Sequence, residues 1–424
     1  MKKPKKITLA NGLRILLVPQ PENMAATVLI LVEAGSEYET KRVNGVSHFL
    51  EHMMFKGTVN RPRPGMIAHE LAALGAQSNA FTDQECTGYW AKAQAEKLPK
   101  ILEIVSDLYL NPVFNPNEIE KERGVIMQEI NMYEDDLPAR VQRNFLQLVY
   151  GDQPAGWDVA GAKDVIRTLQ REDFMAYRSE RYVASGTLVV VSGKFNEKKT
   201  VSQIKKTFGT LPRRRVIAKK PVREKQSVPQ VRVSHKESDQ AHLVLGFRAF
   251  DVFDKRRYAA RLMADVLGGG MSSRLFMKVR EELGAAYYIG AGTDLNLDHG
   301  IFSVSAGIDH GKLQVVIRAI LEECRRMRDD IVPAQELQKS KDHMIGNLIL
   351  GLETSDDLAS FYGGQEIITR TMVPPEVLVD TIKKISATEV RNIARAIFKE
   401  KHLNLALIGP YKDEKKFRKL LALP

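Results

Sequence analysis

Gly45-Val-Ser-His-Phe-Leu-Glu-His-Met-Met-Phe55 is the stretch from which this chain is read. Its pattern predicts a helix over 45–55, with Phe49, Leu50 and Met53 packing one face. On that helix His48 and His52 stand four residues apart, one turn from each other on the same side. Two imidazoles at that spacing can reach one metal ion. Glu51 lies one turn from His48 and beside His52, so its carboxylate can reach a water on that metal and take its proton. A catalytic zinc keeps about three protein ligands and an open position, which suits this arrangement. The bland alternative is a pair of ordinary helix histidines, but histidine is scarce here, 9 in 424 residues.

A third ligand is required, and 116–134 supplies candidates. That segment, Pro116-Asn-Glu-Ile-Glu-Lys-Glu-Arg-Gly-Val-Ile-Met-Gln-Glu-Ile-Asn-Met-Tyr-Glu134, reads as an acidic helix. Glu122 and Glu129 are seven apart and share a face two turns apart. Either can ligate, and the other can orient a ligand or the water. Spacing does not choose between them. Glu118, Glu120 and Glu134 read as solvated surface charges.

The H-x-x-E-H stretch and the run Glu122-Arg-Gly-Val-Ile-Met-Gln-Glu129 together resemble the M16 peptidases, the inverted-zincin (inverzincin, insulinase-like) group. The family's third ligand follows its motif by about 76 residues, in an E-R-x-V-x-x-x-E-type helix; here 76 residues separate His52 from Glu129. The resemblance therefore implies zinc, one Zn2+ per chain, on His48, His52 and Glu129, with Glu51 as general base and Glu122 as an accessory acid. It extends through Gly75-Ala-Gln-Ser-Asn-Ala-Phe-Thr82, Asp136-Leu-Pro138 and Gly151–Gly161, and covers essentially the whole chain. It implies paired α+β domains, each a mixed or antiparallel sheet with helices mainly on one face.

The bulk numbers agree with a two-domain protein. A chain of 424 residues exceeds what one core usually serves. The stretch 210–230 holds Pro212, Pro221 and Pro229 and seven basic residues against one acid, Glu224, and reads as a linker. The expected division is 1–211, a metal-binding catalytic domain; 212–229, a basic linker; and 230–424, a second domain. The order of strands and helices repeats across the linker. In the second half Met263-Ala-Asp-Val266 falls near where the motif would be, and aligning Glu336 with Glu118 sets Asn347 opposite Glu129. Metal is therefore expected in the first half alone, and the second is expected to complete a substrate chamber.

Charge and cysteine usage exclude other classes. The formal net charge is +11, but the basic residues are dispersed apart from 213–225 and 412–419, with no aromatic-interleaved patch for stacking bases, so no nucleic-acid partner is expected. No apolar run approaches the roughly 18–20 residues of a membrane span. The basic start, Met1-Lys-Lys-Pro-Lys-Lys6, is followed by no apolar signal core, and the two cysteines, Cys86 and Cys324, cannot form a disulfide framework. A cytoplasmic protein without a membrane partner is expected.

On the substrate side, the resemblance implies peptide binding by strand addition at Asn79, Ala80, Phe81 and Thr82. It also implies that an arginine and a tyrosine seven residues apart, here Arg280 and Tyr287, reach the substrate and the developing oxyanion. Tyr288 is a rival for the tyrosine. The glycine run Gly268–Gly270 lacks the Lys-Ser/Thr of a phosphate loop and reads as a connection between helices. The expected activity is a zinc metalloendopeptidase acting on short or unfolded peptides, in a homodimer. The alternative is a catalytically silent subunit of a heteromeric assembly.

Overall fold

Continuous apolar runs such as Arg14-Ile-Leu-Leu-Val-Pro19 and Thr187-Leu-Val-Val-Val-Ser-Gly193 bury every or nearly every residue. A strand of that kind needs cover on both faces of its sheet. In the computed structural model, which describes residues 3–423, both runs lie in the middle of a sheet. Met1, Lys2 and Pro424 lie outside the described residues, and with them the start of the basic N-terminal run and the outermost residues of the two expected domains.

The strands are β1 (Lys5–Thr8), β2 (Arg14–Pro19), β3 (Ala25–Val32), β4 (Gln77–Thr82), β5 (Thr87–Gln94) and β6 (Thr187–Gly193), then β7 (Gln230–His235), β8 (Ala241–Arg248), β9 (Ala286–Leu295), β10 (Gly300–Ile308) and β11 (Leu403–Gly409). The first sheet has the order β1-β2-β6-β3-β5-β4, and the second β7-β11-β8-β10-β9. Without β1 the two orders are the same. Each sheet has one parallel pair, β2 with β6 and β7 with β11, and its other pairs are antiparallel. The repeat expected from the sequence is thus a repeat of topology, and the fold is two related α+β units.

The units do not follow the halves of the sequence. One comprises residues up to 130, 157–220 and 350–372; the other comprises 131–156, 221–349 and 373 onward. The reason lies in the second face of each sheet. The main core of the first unit packs α1 (Val46–Met54), α2 (Met66–Ala73) and α3 (Leu98–Leu110) against one face. The opposite face, with Leu16, Val18, Leu29, Leu31, Leu188 and Val190, is covered by the helix Ser355–Thr369. Gly363 permits that approach, since a Cβ there would stand 3.0 Å from Leu31 and 3.1 Å from Val190. In the second unit the matching cover comes from the first half. After α4 (Pro116–Asp135), α5 (Leu137–Tyr150) lays Val141, Phe145, Val149 and Tyr150 on Val244, Ile301, Ala406 and Ile408. Asp136 caps α5 by accepting from the Ala139 N–H.

β1 ends at Thr8, where the Leu9 N–H donates to the Leu13 carbonyl and closes the Asn11-Gly12 turn. The segment Phe276–Glu282 is a wide, π-type helix. Residues 212–229 form no helix or strand. No helix among the described residues is long and apolar enough to cross a membrane.

Candidate metal centre

The site is built on the start of α1. Gly45 there has φ of +92°, and a Cβ would meet the Gly161 Cα at 2.7 Å. Only glycine fits that crossing. The N-cap offers no side chain, so the helix start is satisfied from elsewhere. The fully buried Glu39 carboxylate accepts from the backbone N–H of Gly45 at 2.7 Å and of Ser47 at 2.8 Å, and from Asn44 Nδ2 at 3.0 Å. A carboxylate at a helix N-terminus is favoured by the helix dipole. Burial nevertheless raises Glu39 to about 7, against the lowering effect of these donors. On the helix, Val46, Phe49, Leu50, Met53 and Met54 are buried in the core. That fixes the rotation of the helix and turns His48, Glu51 and His52 to the other side.

His48 Nε2 and His52 Nε2 lie 3.2 Å apart. Glu129 Oε2 of α4 stands 3.6 Å from the first and 3.5 Å from the second. A tetrahedral ion with bonds of about 2.0–2.1 Å separates its ligand atoms by about 3.3 Å, so this triangle has the dimensions of a zinc face. The donor set, two imidazoles and a carboxylate, suits zinc as well. These three residues form a group able to hold a metal, and their side chains remain 12–22% exposed, so the open side can be reached from solvent. Burial pulls the His48 imidazole down, but the Glu129 carboxylate beside it more than reverses this and leaves it above its ordinary range.

Glu122 stands one step back. Its Oε1 is 2.9 Å from His52 Nδ1, and its Oε2 is 2.6 Å from Lys56 Nζ. Burial alone would raise this carboxyl, yet His52 and Lys56 hold it below the usual carboxylate range. An ionised carboxylate cannot donate, so His52 donates from Nδ1, and its Nε2 lone pair faces the triangle. This is the carboxylate–histidine pairing that orients metal ligands.

Glu51 is held by the other element of the site. Thr82 Oγ1, at the end of β4, donates to Glu51 Oε2 at 2.7 Å. β4 is the edge of its sheet, paired with β5 only, and Gln77, Ser78, Asn79 and Phe81 are exposed along it. The strand expected to take up peptide is therefore an open edge joined to the carboxylate expected to act as base.

Arg280 and Tyr287 belong to the second unit. Arg280 Nη1 donates to the Tyr287 carbonyl at 2.6 Å, and its guanidinium lies 5.9 Å from the Tyr287 ring. Tyr287 is 73% exposed. Tyr288 is half-buried, engaged with His242 Nδ1 at 3.2 Å, and pushed up to about 12 by burial. Of the two tyrosines, Tyr287 is the one open to solvent. In that unit His343 pairs with Asp265 at 2.7 Å, and Asn347, the residue expected opposite Glu129, pairs with His343 at 3.1 Å.

The sequence reading missed Lys56 and Glu39. Lys56 lies four residues beyond His52, the same spacing that flagged the histidines, and could have been found by it. Glu39 carries no local signal, because two of its partners are backbone N–H groups and all of them are brought to it by a turn.

Comparison with known proteins agrees with this geometry. Residues 14–163 match the family model for insulinase, peptidase family M16, and residues 168–344 match the model described as the peptidase M16 inactive domain. An uncharacterized zinc protease of Bacillus subtilis (strain 168) is 31% identical over 407 residues, which are 96% of this chain and 98% of the relative. An uncharacterized zinc protease of Rickettsia felis is 32% identical over 408 residues, 95% of this chain and 96% of the relative. The crystal structure of a protease from Helicobacter pylori superposes with a TM-score of 0.89 over 96% of this chain and 99% of that one, at 24% identity. With half the chain and more matched by the family models and full-length relatives above 30% identity, the chain belongs to peptidase family M16.

Proposed function

We propose that this protein is a zinc metalloendopeptidase that hydrolyses internal bonds of short or unfolded peptides, with Glu51 as general base. The observation that carries this reading is the triangle of His48, His52 and Glu129 with Glu51 on the same helix. A zinc ion held there would supply Lewis-acid chemistry, activating a water and polarising the scissile carbonyl. Glu51 takes a proton from the water as its oxygen joins the carbonyl carbon, and returns it to the amide nitrogen as the C–N bond breaks. Glu122 keeps His52 in the tautomer and orientation the site needs. The open edge of β4 binds an extended peptide through main-chain groups, which gives affinity with little dependence on sequence. On family resemblance, Arg280 and Tyr287 meet the charge that develops on the carbonyl oxygen. The second unit carries no H-x-x-E-H, which supports one zinc per chain. We further propose a homodimer in a reducing, cytoplasmic compartment; sedimentation of an active species at the monomer mass would overturn the dimer.

The test is cleavage of a mixture of unstructured peptides, read by mass spectrometry, with zinc-loaded wild type beside Glu51→Gln. The expected result is cleavage by the wild type alone, with zinc bound to both. If both bind zinc and neither cleaves, the catalytically silent subunit becomes the reading.

A further inference from the structure

We propose that Thr82 is the positioning residue for Glu51, so that one amino acid at the end of the open strand both offers main chain to a peptide and sets the base. The inference rests on the functional reading above and adds to it a division of labour within a single residue.

The alternation of β4 carries the argument. Asn79 and Phe81 are exposed, whereas Ala80 and Thr82 are half-buried on the other face, where Ala80 packs against the core that holds α1. Side chains two apart share a face, so the Thr82 hydroxyl points toward α1 and away from the exposed side of the strand. There it donates to Glu51 Oε2 at 2.7 Å. The main-chain N–H and C=O groups on the free edge of β4 are a separate set of atoms, and they are what an added strand would use. The register of this strand end is fixed from the other face. Phe81 lies opposite Gly88, where an added Cβ would stand 2.4 Å from the Phe81 ring, and Thr82 pairs with Thr87. A strand held in this way holds the hydroxyl in place.

The hydrogen bond has a chemical consequence. It anchors Oε2, which favours Oε1 as the oxygen that accepts the water's proton, and it restricts the rotation that would otherwise exchange the two. A carboxylate without this donor spends part of its time turned from the water, and misplacement of about 1 Å at a reacting group can cost as much as a hundredfold in rate. The loss falls on the chemical step and leaves main-chain docking intact.

The experiment compares wild type, Thr82→Val and Thr82→Ser in kcat, KM and zinc affinity, the last by competition with a chromogenic chelator. Thr82→Val is expected to lower kcat about tenfold or more, with KM and the zinc Kd within about twofold, and Thr82→Ser is expected to restore kcat. Thr82→Ala, which removes the hydroxyl without crowding, carries the same expectation should valine disturb the strand. An unchanged kcat in Thr82→Val, a rise confined to KM, or a zinc Kd weakened in step with kcat would each overturn the proposal while leaving the peptidase reading in place. A zinc-loaded wild type that cleaves no peptide would overturn both.

Discussion

Glu39 links the stability of α1, the helix of the candidate metal centre, to pH, and Glu39→Gln measures that link. Glu39 is raised to about 7 when folded, from an ordinary carboxyl value of 4.5. Between those two values the folded chain binds the proton and the unfolded chain does not. Stability therefore falls as pH rises through this window, the reverse of the usual salt-bridged carboxylate. Integrating between pH 5 and pH 8 gives a loss of about 2–3 kcal/mol in the wild type, at about 1.4 kcal/mol per pH unit. Glutamine does not titrate, so it lacks this slope. It also has a single acceptor oxygen where the carboxylate serves the N–H groups of Gly45 and Ser47. One buried donor is left unmatched, at about 1–3 kcal/mol. The wild type should thus melt above Glu39→Gln at pH 5, and the gap should close or reverse by pH 8. For a unit of this size the change in the gap is about 5–10 °C. The assay is the melting midpoint of both metal-free proteins, read by circular dichroism at matched ionic strength. A gap that stays constant from pH 5 to pH 8 would refute the assignment of a raised carboxyl to Glu39.

Two further substitutions test the site and the fold. Lys56→Met, which strips Glu122 of its cation, is expected to weaken zinc binding about tenfold through loss of His52 orientation, with Lys56→Arg close to wild type; loss of a positive charge near a dication would by itself tighten binding, so a tightened or unchanged Kd in a chelator competition would refute the positioning role. Phe145→Ala empties a fully buried position between α5 and the second sheet and should cost about 3–5 kcal/mol, seen as a lowered midpoint in urea, while the zinc Kd is unaffected.

How much of this was legible in the sequence depends on how local each feature is. His48, Glu51 and His52 sit within one helical turn and a half, and a 3.6-residue period is enough to bring them together. Glu122 and Glu129 show the limit of that logic. Seven residues are almost two whole turns, so both project in nearly the same direction, and only the height of α4 relative to α1 separates them. The structure sets Glu129 Oε2 within 3.6 Å of both histidine nitrogens and Glu122 on the far nitrogen of His52. The edge character of β4 was half legible. Its polar composition, Gln77-Ser-Asn79, argues against a central strand, but its partner was not encoded nearby. Sheet order was not legible at all, because β6 enters the first sheet between β2 and β3 from more than a hundred and fifty residues downstream. Lys219 shows why the first unit runs on to residue 220, into the linker. Its side chain is buried and paired with Glu37 and with Glu85 at 2.9 Å, so a residue that reads as one more surface cation ties this part of the basic stretch to the first unit.

The exchange of covering helices leads to the last prediction. The apparent boundary at 211–230 divides the sequence into halves of similar topology, and it suggests that residues 1–211 would fold alone. Six residues argue otherwise. Leu16, Val18, Leu29, Leu31, Leu188 and Val190 are each no more than 2% exposed, and their cover is the helix Ser355–Thr369. Thr27 bonds Ser355 at 2.8 Å, Lys92 bonds Asp356 at 2.6 Å, and Arg14 bonds Glu366 at 3.1 Å, so the helix is tied at both ends. Full burial of such side chains is worth about 1.5–3 kcal/mol each, so six of them amount to about 10 kcal/mol, comparable with the whole stability of a domain. A fragment of residues 1–211 should accordingly bind a hydrophobic dye, aggregate, or both, although it carries every residue of the metal triangle. The same fragment mixed with a peptide of residues 350–372 should gain a cooperative melting transition and lose the dye signal. A soluble, cooperatively melting 1–211 with no response to the peptide would show that the sheet tolerates an open face, and would return the boundary of the catalytic unit to the linker.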